Sequence, residues 1–577
     1  MSTTTATKPP RIAASSSSSV GLFGLLLALR VANALLISTF FQPDEYYQSL
    51  EPAWQLAFGD QSRAWITWEW RHQLRTSLHP LLFGSIYRAV SFLPASSIAS
   101  RSQILLAGPK VAQAFFATCT DFFTWKCAQR VYGIESRSAW TTLILSLVSP
   151  WQFFCSVRTF SNSIETSLTA LALSLWPWNL ISLSNRNNVR TPKYEDSLNK
   201  SVSISELRLS LLLAALATIL RPTNILIWIP LALIALYNSP THVRVILARE
   251  ALLCGSIILA ISAISDRWYY GFWTFPLFRF LYFNVAQDLA VFYGRNRWDY
   301  YLTEGLPLLL TTSLPFAGLG IFQSVARNKI TASTTNHVDE TATILSVLKW
   351  TVGFVVTSLS LIAHKEVRFL YPLLPALQII AAYPAAQFTK SRKTLKRLGV
   401  LLLLLANVVI TIYLTQVHQR GVVDVTHYLR EQHESRLQSH GPKVVTSVAF
   451  LMPCHSTPWR SHLIHQQIEA WALTCEPPID VPFSHREQYL DEADQFYEDP
   501  EAWMRDNMKN SKTMSKSIDI FGHKSPRPEY LVFFEHLEPN IKNVWAKEGY
   551  QECWRTFNTH WHDDSRRKGD VIVWCRV

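Results

Sequence analysis

The feature that most constrains this chain is a series of long apolar segments that contain almost no charged residues. A helix needs about 20 residues to cross the hydrocarbon core of a bilayer, and several segments approach that length. A soluble protein would need an implausibly large dry interior to bury them all. They therefore predict a protein that crosses the membrane many times. The segments are residues 20–40, 207–220, 225–236, 251–264, 345–363 and 398–414.

Composition and charge agree with this prediction. The chain is 49% hydrophobic and only 17% charged, which is too apolar for a typical soluble multidomain protein. The net charge of +12 would suit nucleic-acid binding, but Lys and Arg in cytoplasmic loops explain it better. Segment 20–40 lacks an evident cleavage site and is longer than the apolar core of a secretory signal, so we interpret it as the first retained span.

The basic connectors predict the sidedness of the chain. Residues 182–206 and 390–397 carry several Lys and Arg residues and are expected on the cytoplasmic side. If successive spans alternate in direction, both basic connectors fall on the same side of the membrane. The same alternation places segments 42–79, 158–165 and 364–369 together on the outer side.

One stretch, residues 80–157, resists this count. A span is expected directly after His79. After that span, the chain must cross the membrane an odd number of times to reach residue 158 on the outer side, yet only two further apolar stretches are evident. We expect Pro109 or Pro150 to interrupt one of them, giving a broken or re-entrant segment.

The predicted domain organisation has three parts. Residues 1–19 are expected to form a disordered cytosolic terminus, residues 20–417 an all-α polytopic transmembrane domain, and residues 418–577 a lumenal domain. The last part is polar and aromatic and holds no run long enough to cross a membrane.

Short strands and helices are expected in the lumenal domain, making it an α/β domain. Residues 443–452, 529–534 and 570–577 have the pattern of strands, whereas residues 462–473 and 500–507 have that of helices.

Four of the eight cysteines fall in this terminal domain. In an oxidising lumen they would form disulfides, and we favour Cys454 with Cys475 and Cys553 with Cys575. A zinc site built from Cys454, Cys475 and nearby histidines is the alternative, although the spacing fits no common zinc pattern.

The outer segments concentrate ionisable and aromatic residues beside the membrane, where charge is costly unless it is used. Pro43-Asp44-Glu45 follows the first span, and Pro43 with adjacent acids also suits a simple helix start. His364 and Arg368 would share one face of a helical turn and offer converging donors to a phosphate. The tryptophans near residue 68 suit either an interfacial belt or a platform for sugar rings.

Together these motifs resemble the dolichyl-phosphate-mannose-dependent mannosyltransferases of the endoplasmic reticulum, glycosyltransferase family 22, which have the GT-C fold. The resemblance is carried by Pro43-Asp44-Glu45, Thr67-Trp-Glu-Trp70, Arg158-Thr159 with Asn162-Ser163, and His364-Lys-Glu with Arg368-Phe369. Residues 450–458 and 530–536 resemble the members that act on the glycosylphosphatidylinositol (GPI) core. The resemblance implies about 11 to 13 transmembrane or re-entrant helices.

The implied reaction is transfer of mannose from dolichyl-phosphate mannose to the second mannose of the GPI precursor, forming an α1,2 linkage with inversion. Asp44 is our candidate base, with Glu45 as the second choice. The departing phosphate would be met by fixed cations, namely His364, Lys365, Arg368, Arg158 and Arg221. The expected substrate-binding residues are Tyr46, Gln48, Trp68, Glu69, Trp70, Arg71 and Asn162.

The expected partners are therefore lipids: the membrane of the endoplasmic reticulum, the dolichyl donor and the GPI precursor. No metal, no cofactor, no nucleic acid and no protein partner is expected, and the active site is expected to be lumenal. A mannosyltransferase of the N-glycan precursor is the closer alternative. A transporter is the alternative of another class, but the sequence shows neither an internal repeat nor deeply polar spans.

Overall fold

The computed structural model describes residues 13–180, 203–286, 292, 294–323, 335–391, 393–479, 481–509 and 527–577. Most of the predicted terminus 1–19, and the predicted cytoplasmic connector 182–206 as far as residue 202, lie outside the described residues. The described residues form a mainly helical protein with one small sheet near the C-terminus.

The α-helices, in chain order, are α1 (Ala13–Leu36), α2 (Glu51–Phe58), α3 (Trp68–Arg71), α4 (Leu78–Ser91), α5 (Ile98–Tyr132), α6 (Arg137–Val148), α7 (Pro150–Cys155), α8 (Ser161–Leu175), α9 (Ile204–Leu220), α10 (Ile225–Asn238), α11 (Thr241–Tyr270), α12 (Pro276–Leu281), α13 (Leu306–Leu310), α14 (Leu314–Phe322), α15 (Thr335–Ser360), α16 (Leu374–Lys390), α17 (Thr394–Gln416), α18 (Gly421–His440), α19 (Arg460–Leu463), α20 (Glu492–Glu498), α21 (Pro500–Met504) and α22 (Glu538–Trp545). The strands are β1 (Thr446–Phe450), β2 (Ile468–Ala472), β3 (Tyr530–Phe534), β4 (Tyr550–Thr559) and β5 (Gly569–Arg576).

Six helical segments in the described part of the chain are long and apolar enough to cross a membrane. Many of their large apolar side chains are exposed, among them Leu252, Leu401 and Leu405, which is what a surface in contact with lipid requires. The chain is therefore a multi-pass membrane protein. The six segments are Ser19–Leu36, Thr241–Tyr270, Tyr301–Phe322, Glu340–Ser360, Val367–Lys390 and Thr394–His440.

The length of α4 gives a physical answer to the uneven count in residues 80–157. With 14 residues, α4 is about 21 Å long, too short for a hydrocarbon core of about 30 Å. It packs against α2 instead, and Gly84 leaves room for the backbone of Ala53. If α4 does not cross, the two further apolar stretches, in α5 and in α6 with α7, are enough for the predicted count of crossings.

The two prolines of this stretch behave differently. Pro109 lies inside the continuous 35-residue helix α5, whereas Pro150 begins α7 directly after an extended Ser149. The Ser149 side chain accepts a hydrogen bond from the backbone N–H of Gln152 and so caps the new helix. The interruption expected at one of the two prolines therefore occurs at Pro150.

The terminal domain contains a five-stranded mixed sheet in the order β2-β1-β3-β5-β4. β1 pairs in parallel with β2 and β3, and β5 pairs antiparallel with β3 and β4. Strands β1, β3 and β5 confirm the three strands expected from the sequence.

The helix expected over residues 462–473 is wrong. The short helix α19 ends where Ile464 adopts a left-handed backbone (φ 61°), and the chain then forms β2. Residues 468–472 pair in register with Thr446–Phe450, and this tertiary pairing outweighs the local helical pattern.

The sheet buries both of its faces because side chains alternate along each strand. Leu531 and Phe533 point toward the helices α20 to α22. Val532 and Phe534 point the other way and share one core with Tyr46 and other residues that follow α1. The terminal domain is therefore packed directly onto the segment between α1 and α4.

Candidate active site

The candidate site begins where α1 ends and the chain turns at Pro43. The carbonyl of Pro43 accepts hydrogen bonds from the backbone N–H groups of Tyr46 and Tyr47, both at 2.9 Å. This starts a helical turn over Tyr46–Leu50 that leads into α2. Asp44 and Glu45 therefore stand side by side at a helix start, and their side chains diverge, as adjacent residues of a helix must.

Asp44 forms an ion pair with Arg368, which lies 324 residues further along the chain. The side chain of Asp44 is 16% exposed and that of Arg368 is 7% exposed. Arg368 also donates to both carboxylate oxygens of Glu366, at 2.6 and 2.7 Å. His364 contacts the same carboxylate at 3.2 Å.

These contacts correct the helical turn expected for His364 and Arg368. Residues 364–366 are not helical, and a 3-10 helix begins only at Val367. The two side chains do converge, but on Glu366. Burial alone would raise the pKa of Glu366, yet Arg368 and His364 outweigh burial and hold this pKa well below its ordinary value.

Glu45 is held by Arg158, whose guanidinium lies 2.9 Å from its carboxylate. The same guanidinium donates to the carbonyl of Thr39, to its hydroxyl and to the carbonyl of Phe154. Thr159 adds a hydrogen bond to the carbonyl of Glu45. Four of the five N–H donors of Arg158 are engaged by these described residues, so Arg158 orients Glu45 and keeps at most one donor for a phosphate.

Two further arginines face the Asp44 region. Arg75 pairs with Glu69 at 2.8 Å, while its Nε is buried without a hydrogen bond to any described residue. Arg221 is buried and forms no ion pair with the described residues; its guanidinium lies 5.4 Å from the ring centre of Phe369. Burial and the charges of Arg75 and Arg368 lower the pKa of Arg221 to about 10. An arginine without an ion pair among the described residues, Arg221, suits an anionic ligand.

A buried network of polar side chains contacts the segment that carries Arg368. Glu165 accepts hydrogen bonds from the amides of Asn162 and Asn224, at 3.2 and 3.0 Å. Asn162 also donates to the backbone carbonyl of Arg368 at 3.4 Å. In the described structure Asn162 therefore helps to position Arg368.

Lys365 lies apart from the Asp44 cluster in the contacts that the structure shows. Its Nζ donates to the carbonyl of Asn296 at 3.3 Å, and its backbone N–H donates to the Asn296 side chain at 2.8 Å. Lys365 thus ties its own segment to residues 294–300.

The residues expected to bind substrate have several different surroundings. Trp68 is buried near His72 and Phe283, and Glu69 is the partner of Arg75. The Trp70 indole donates to the carbonyl of Tyr47 at 3.1 Å.

The other three contact different parts of the structure. Tyr46 stacks on Phe40, and Gln48 is half-buried in the same helical turn. Arg71 pairs with Glu476 of the terminal domain.

The terminal domain reaches this surface through residues 451–459. The Tyr47 hydroxyl donates to the carbonyl of Thr457 at 2.8 Å, and the ring of His455 lies 4.2 Å from the ring of Tyr47. Glu51 is fully buried at the same contact and accepts from the backbone N–H groups of Trp65 and Ser461, both at 3.0 Å. Burial raises the pKa of Glu51 to about 7.

Disulfides join Cys454 to Cys475 and Cys553 to Cys575, the pairing favoured from the sequence. Cys454, His455 and Cys475 are also close enough to suggest a metal site. Because the two sulfurs are bonded to each other, however, neither is available as a thiolate ligand. The structure therefore does not support the zinc site considered as the alternative.

Sequence reasoning missed several residues of this site. Glu165 lies inside the apolar helix α8 and Asn224 directly precedes α10. An acid within an apolar helix is the sequence signal that could have marked Glu165 as functional. Arg75 lies six residues after its partner Glu69, a pairing that no helical spacing predicts. The contact of His455 with Tyr47 joins residues about 400 positions apart and left no trace in the sequence.

Known proteins of one enzyme family are similar to this chain. Residues 21–464 match the model of the Alg9-like mannosyltransferase family. GPI mannosyltransferase 3 of Aspergillus fumigatus is 46% identical over 95% of this chain and 76% of its own length. GPI alpha-1,2-mannosyltransferase 3 of Mus musculus is 33% identical over 95% of this chain and 87% of its own length.

Among solved structures, ArnT from Cupriavidus metallidurans in the apo state has a similar fold, with a TM-score of 0.50 and 11% identity over 98% of both chains. This likeness concerns the GT-C fold alone. Asp44 and Glu45 each contact an arginine from a distant segment of the chain. This site and the matches above lead to one conclusion: the chain belongs to the Alg9-like mannosyltransferase family.

Proposed function

We propose that this enzyme transfers mannose from dolichyl-phosphate mannose to the second mannose of the GPI precursor, in the lumen of the endoplasmic reticulum. The names of the relatives, GPI mannosyltransferase 3 and GPI alpha-1,2-mannosyltransferase 3, support the acceptor and the linkage. The observation that carries the chemistry is the ion pair between Asp44 and Arg368, because it joins a base and a phosphate-binding cation from distant segments.

The reaction exchanges one bond at the anomeric carbon for another. The bond from this carbon to the dolichyl phosphate oxygen breaks, and a bond to the acceptor hydroxyl oxygen forms on the opposite face. Asp44 takes the proton of that hydroxyl, and dolichyl phosphate leaves with the electron pair. The proposal requires no metal or cofactor.

Asp44 suits the role of base better than Glu45. The side chain of Glu45 is 11% exposed, and its carboxylate is held by an arginine that is itself anchored to the backbone. Asp44 is more exposed and contacts Arg368, a cation that a phosphate would also attract. When the donor phosphate accepts hydrogen bonds from the Arg368 guanidinium, Arg368 holds Asp44 less tightly. The Asp44 carboxylate then becomes available to the acceptor hydroxyl.

The cations for the leaving phosphate are Arg368, Arg221 and His364, with Arg75 as an addition from the structure. Fixed positive groups that meet developing negative charge in a site with little water are a large source of catalysis. Lys365 stays a prediction, as does the contribution of Arg158 beyond its hold on Glu45.

The test is to change Asp44 to Asn, which keeps the shape and removes the base. We expect mannose transfer to fall about 10²- to 10⁴-fold, with normal abundance and membrane insertion. Cells that depend on this variant should accumulate a GPI precursor with two mannoses, measured by labelling with radioactive mannose. Accumulation of a truncated dolichyl oligosaccharide would instead support the N-glycan alternative.

A further inference from the structure

The terminal domain places one histidine, His455, against the segment that carries Asp44. Its ring lies 4.2 Å from the ring of Tyr47 and 4.6 Å from that of Trp65, measured between ring centres. Tyr47 is one helical turn from the candidate base, since its backbone N–H bonds to the carbonyl of Pro43. The charge of Asp44 also acts on His455, raising its pKa against the larger effect of burial.

The loop that carries His455 is fixed at several points. Cys454 is bonded to Cys475, and the carbonyl of Cys454 accepts a hydrogen bond from Arg567 at 3.0 Å. Two residues after His455, the carbonyl of Thr457 accepts a hydrogen bond from the Tyr47 hydroxyl. His455 itself has a left-handed backbone with φ 56°. Such a conformation is uncommon outside glycine, and it persists where the surroundings impose it, often at functional sites.

The two ring nitrogens of His455 have different surroundings. Nδ1 faces the disulfide, 3.6 Å from the sulfur of Cys454 and 3.8 Å from that of Cys475. A disulfide sulfur can accept a hydrogen bond but cannot donate one, so this contact favours a proton on Nδ1. Nε2 then carries the free lone pair. It is buried and has no hydrogen-bond partner among the described residues.

A buried nitrogen without a hydrogen bond lowers the stability of the folded protein, so a ligand that supplies the missing bond is favoured here. Burial lowers the pKa of His455 to about 3, so the imidazole is neutral and its Nε2 acts as an acceptor. A hydroxyl group is a suitable hydrogen-bond donor to this Nε2. The substrate that carries many hydroxyl groups and must approach Asp44 is the acceptor glycan.

We propose that His455 is a specificity-determining residue that accepts a hydrogen bond from a hydroxyl of the acceptor glycan. The inference rests on the proposed function, since it assumes that a mannose of the acceptor lies beside Asp44. It assigns a role to the terminal domain, namely to supply one wall of the acceptor site, with His455 as the residue in contact.

The test uses detergent-solubilised full-length protein, dolichyl-phosphate mannose as donor and a synthetic GPI precursor with two mannoses as acceptor. His455→Gly removes the imidazole and at the same time relieves the left-handed backbone. We expect the KM for the acceptor to rise about tenfold, while the KM for the donor stays within about twofold. His455→Asn keeps an acceptor oxygen and tolerates the same backbone, so part of the affinity should return. His485→Gly, at an exposed histidine of the same domain, is the matched control.

Acceptors that lack single hydroxyl groups separate direct contact from a structural role. With one of these deoxy acceptors, the wild type should lose about as much affinity as His455→Gly loses with the complete acceptor. His455→Gly itself should bind that deoxy acceptor no more weakly than it binds the complete acceptor. An acceptor KM within twofold of wild type for His455→Gly, or an equal penalty with every deoxy acceptor, would overturn the inference. If His455→Gly does not accumulate, His455→Asn and the deoxy series on the wild type decide. Failure of the wild type to use a two-mannose acceptor would instead contradict the proposed function.

Discussion

At the scale of single residues, the site is organised by arginines that each have a different task. Arg158 places four of its five N–H donors on Glu45 and on oxygens of Thr39 and Phe154, so it orients an acid. Arg368 divides its donors between Asp44 and Glu366. Arg221 makes no ion pair with a described residue and therefore retains its donors for a ligand.

This difference predicts that replacing Arg221 changes the use of the donor, whereas replacing Arg158 changes the amount of folded protein. Arg221→Ala should reduce kcat/KM for the donor by about 10- to 100-fold, with an unchanged KM for the acceptor. Arg158→Ala should leave the carboxylate of Glu45 buried and unpaired, and so reduce the amount of folded protein. Donor kinetics and the abundance of membrane-inserted protein measure the two effects. An Arg221→Ala variant with normal donor kinetics would show that the phosphate lies elsewhere.

At the scale of elements, the contact between α2 and the terminal domain depends on one buried acid. Glu51 receives two backbone hydrogen bonds, one from Ser461 of the terminal domain, while burial raises its pKa to about 7. An acid whose pKa is raised on folding contributes most to stability when it is protonated in both states, at low pH. That contribution is lost as the pH rises through the pKa of the folded state.

We therefore expect part of the stability to be lost between about pH 4.5 and about pH 7. Glu51→Gln, which has no charge to titrate, should show a flatter profile over this range. The measurement is the midpoint of thermal unfolding for wild type and variant in the same detergent at each pH. Parallel profiles for the two proteins would mean that Glu51 does not titrate in this window.

At the scale of the whole molecule, the terminal domain and the connector after α1 share one hydrophobic core. Tyr46 and Tyr47 pack in the same core as Val532 and Phe534 of β3. This continuity makes the terminal domain a structural part of the candidate site, because Tyr46 and Tyr47, the residues next to Asp44 and Glu45, pack in the core that the domain shares.

Removing residues 418–577 should therefore abolish mannose transfer and lower the abundance of the membrane domain, since the deletion exposes this apolar core to water. Immunoblotting and a transfer assay on membranes measure the two effects. Restored activity on co-expression of residues 418–577 as a secreted fragment would show that contact, rather than covalent linkage, is required. A truncated protein with full activity would contradict a shared core.

The proposed sidedness can be tested with single cysteines. Arg297 is 77% exposed in its side chain and lies in the segment 294–300 that contacts Lys365, whereas Thr394 lies at the start of α17 in the predicted cytoplasmic connector. We expect Thr394→Cys to react with an impermeant maleimide in intact microsomes, and Arg297→Cys only after the membrane is opened. Labelling of both in intact microsomes would contradict the lumenal active site.

The sequence by itself determined the membrane class and indicated the motifs that contain Asp44, Glu45 and Arg368. It determined these because long apolar runs and charged groups beside them have few physical solutions in a bilayer. It also favoured both disulfides, since all four cysteines concerned lie in the terminal domain.

Only the tertiary structure decided which charges meet. It assigned Arg158 to Glu45, made β2 out of a segment with a helical pattern, and brought His455 to Tyr47. These outcomes depend on contacts between residues far apart in the chain, whose energies outweigh local preference and are not encoded in any single segment.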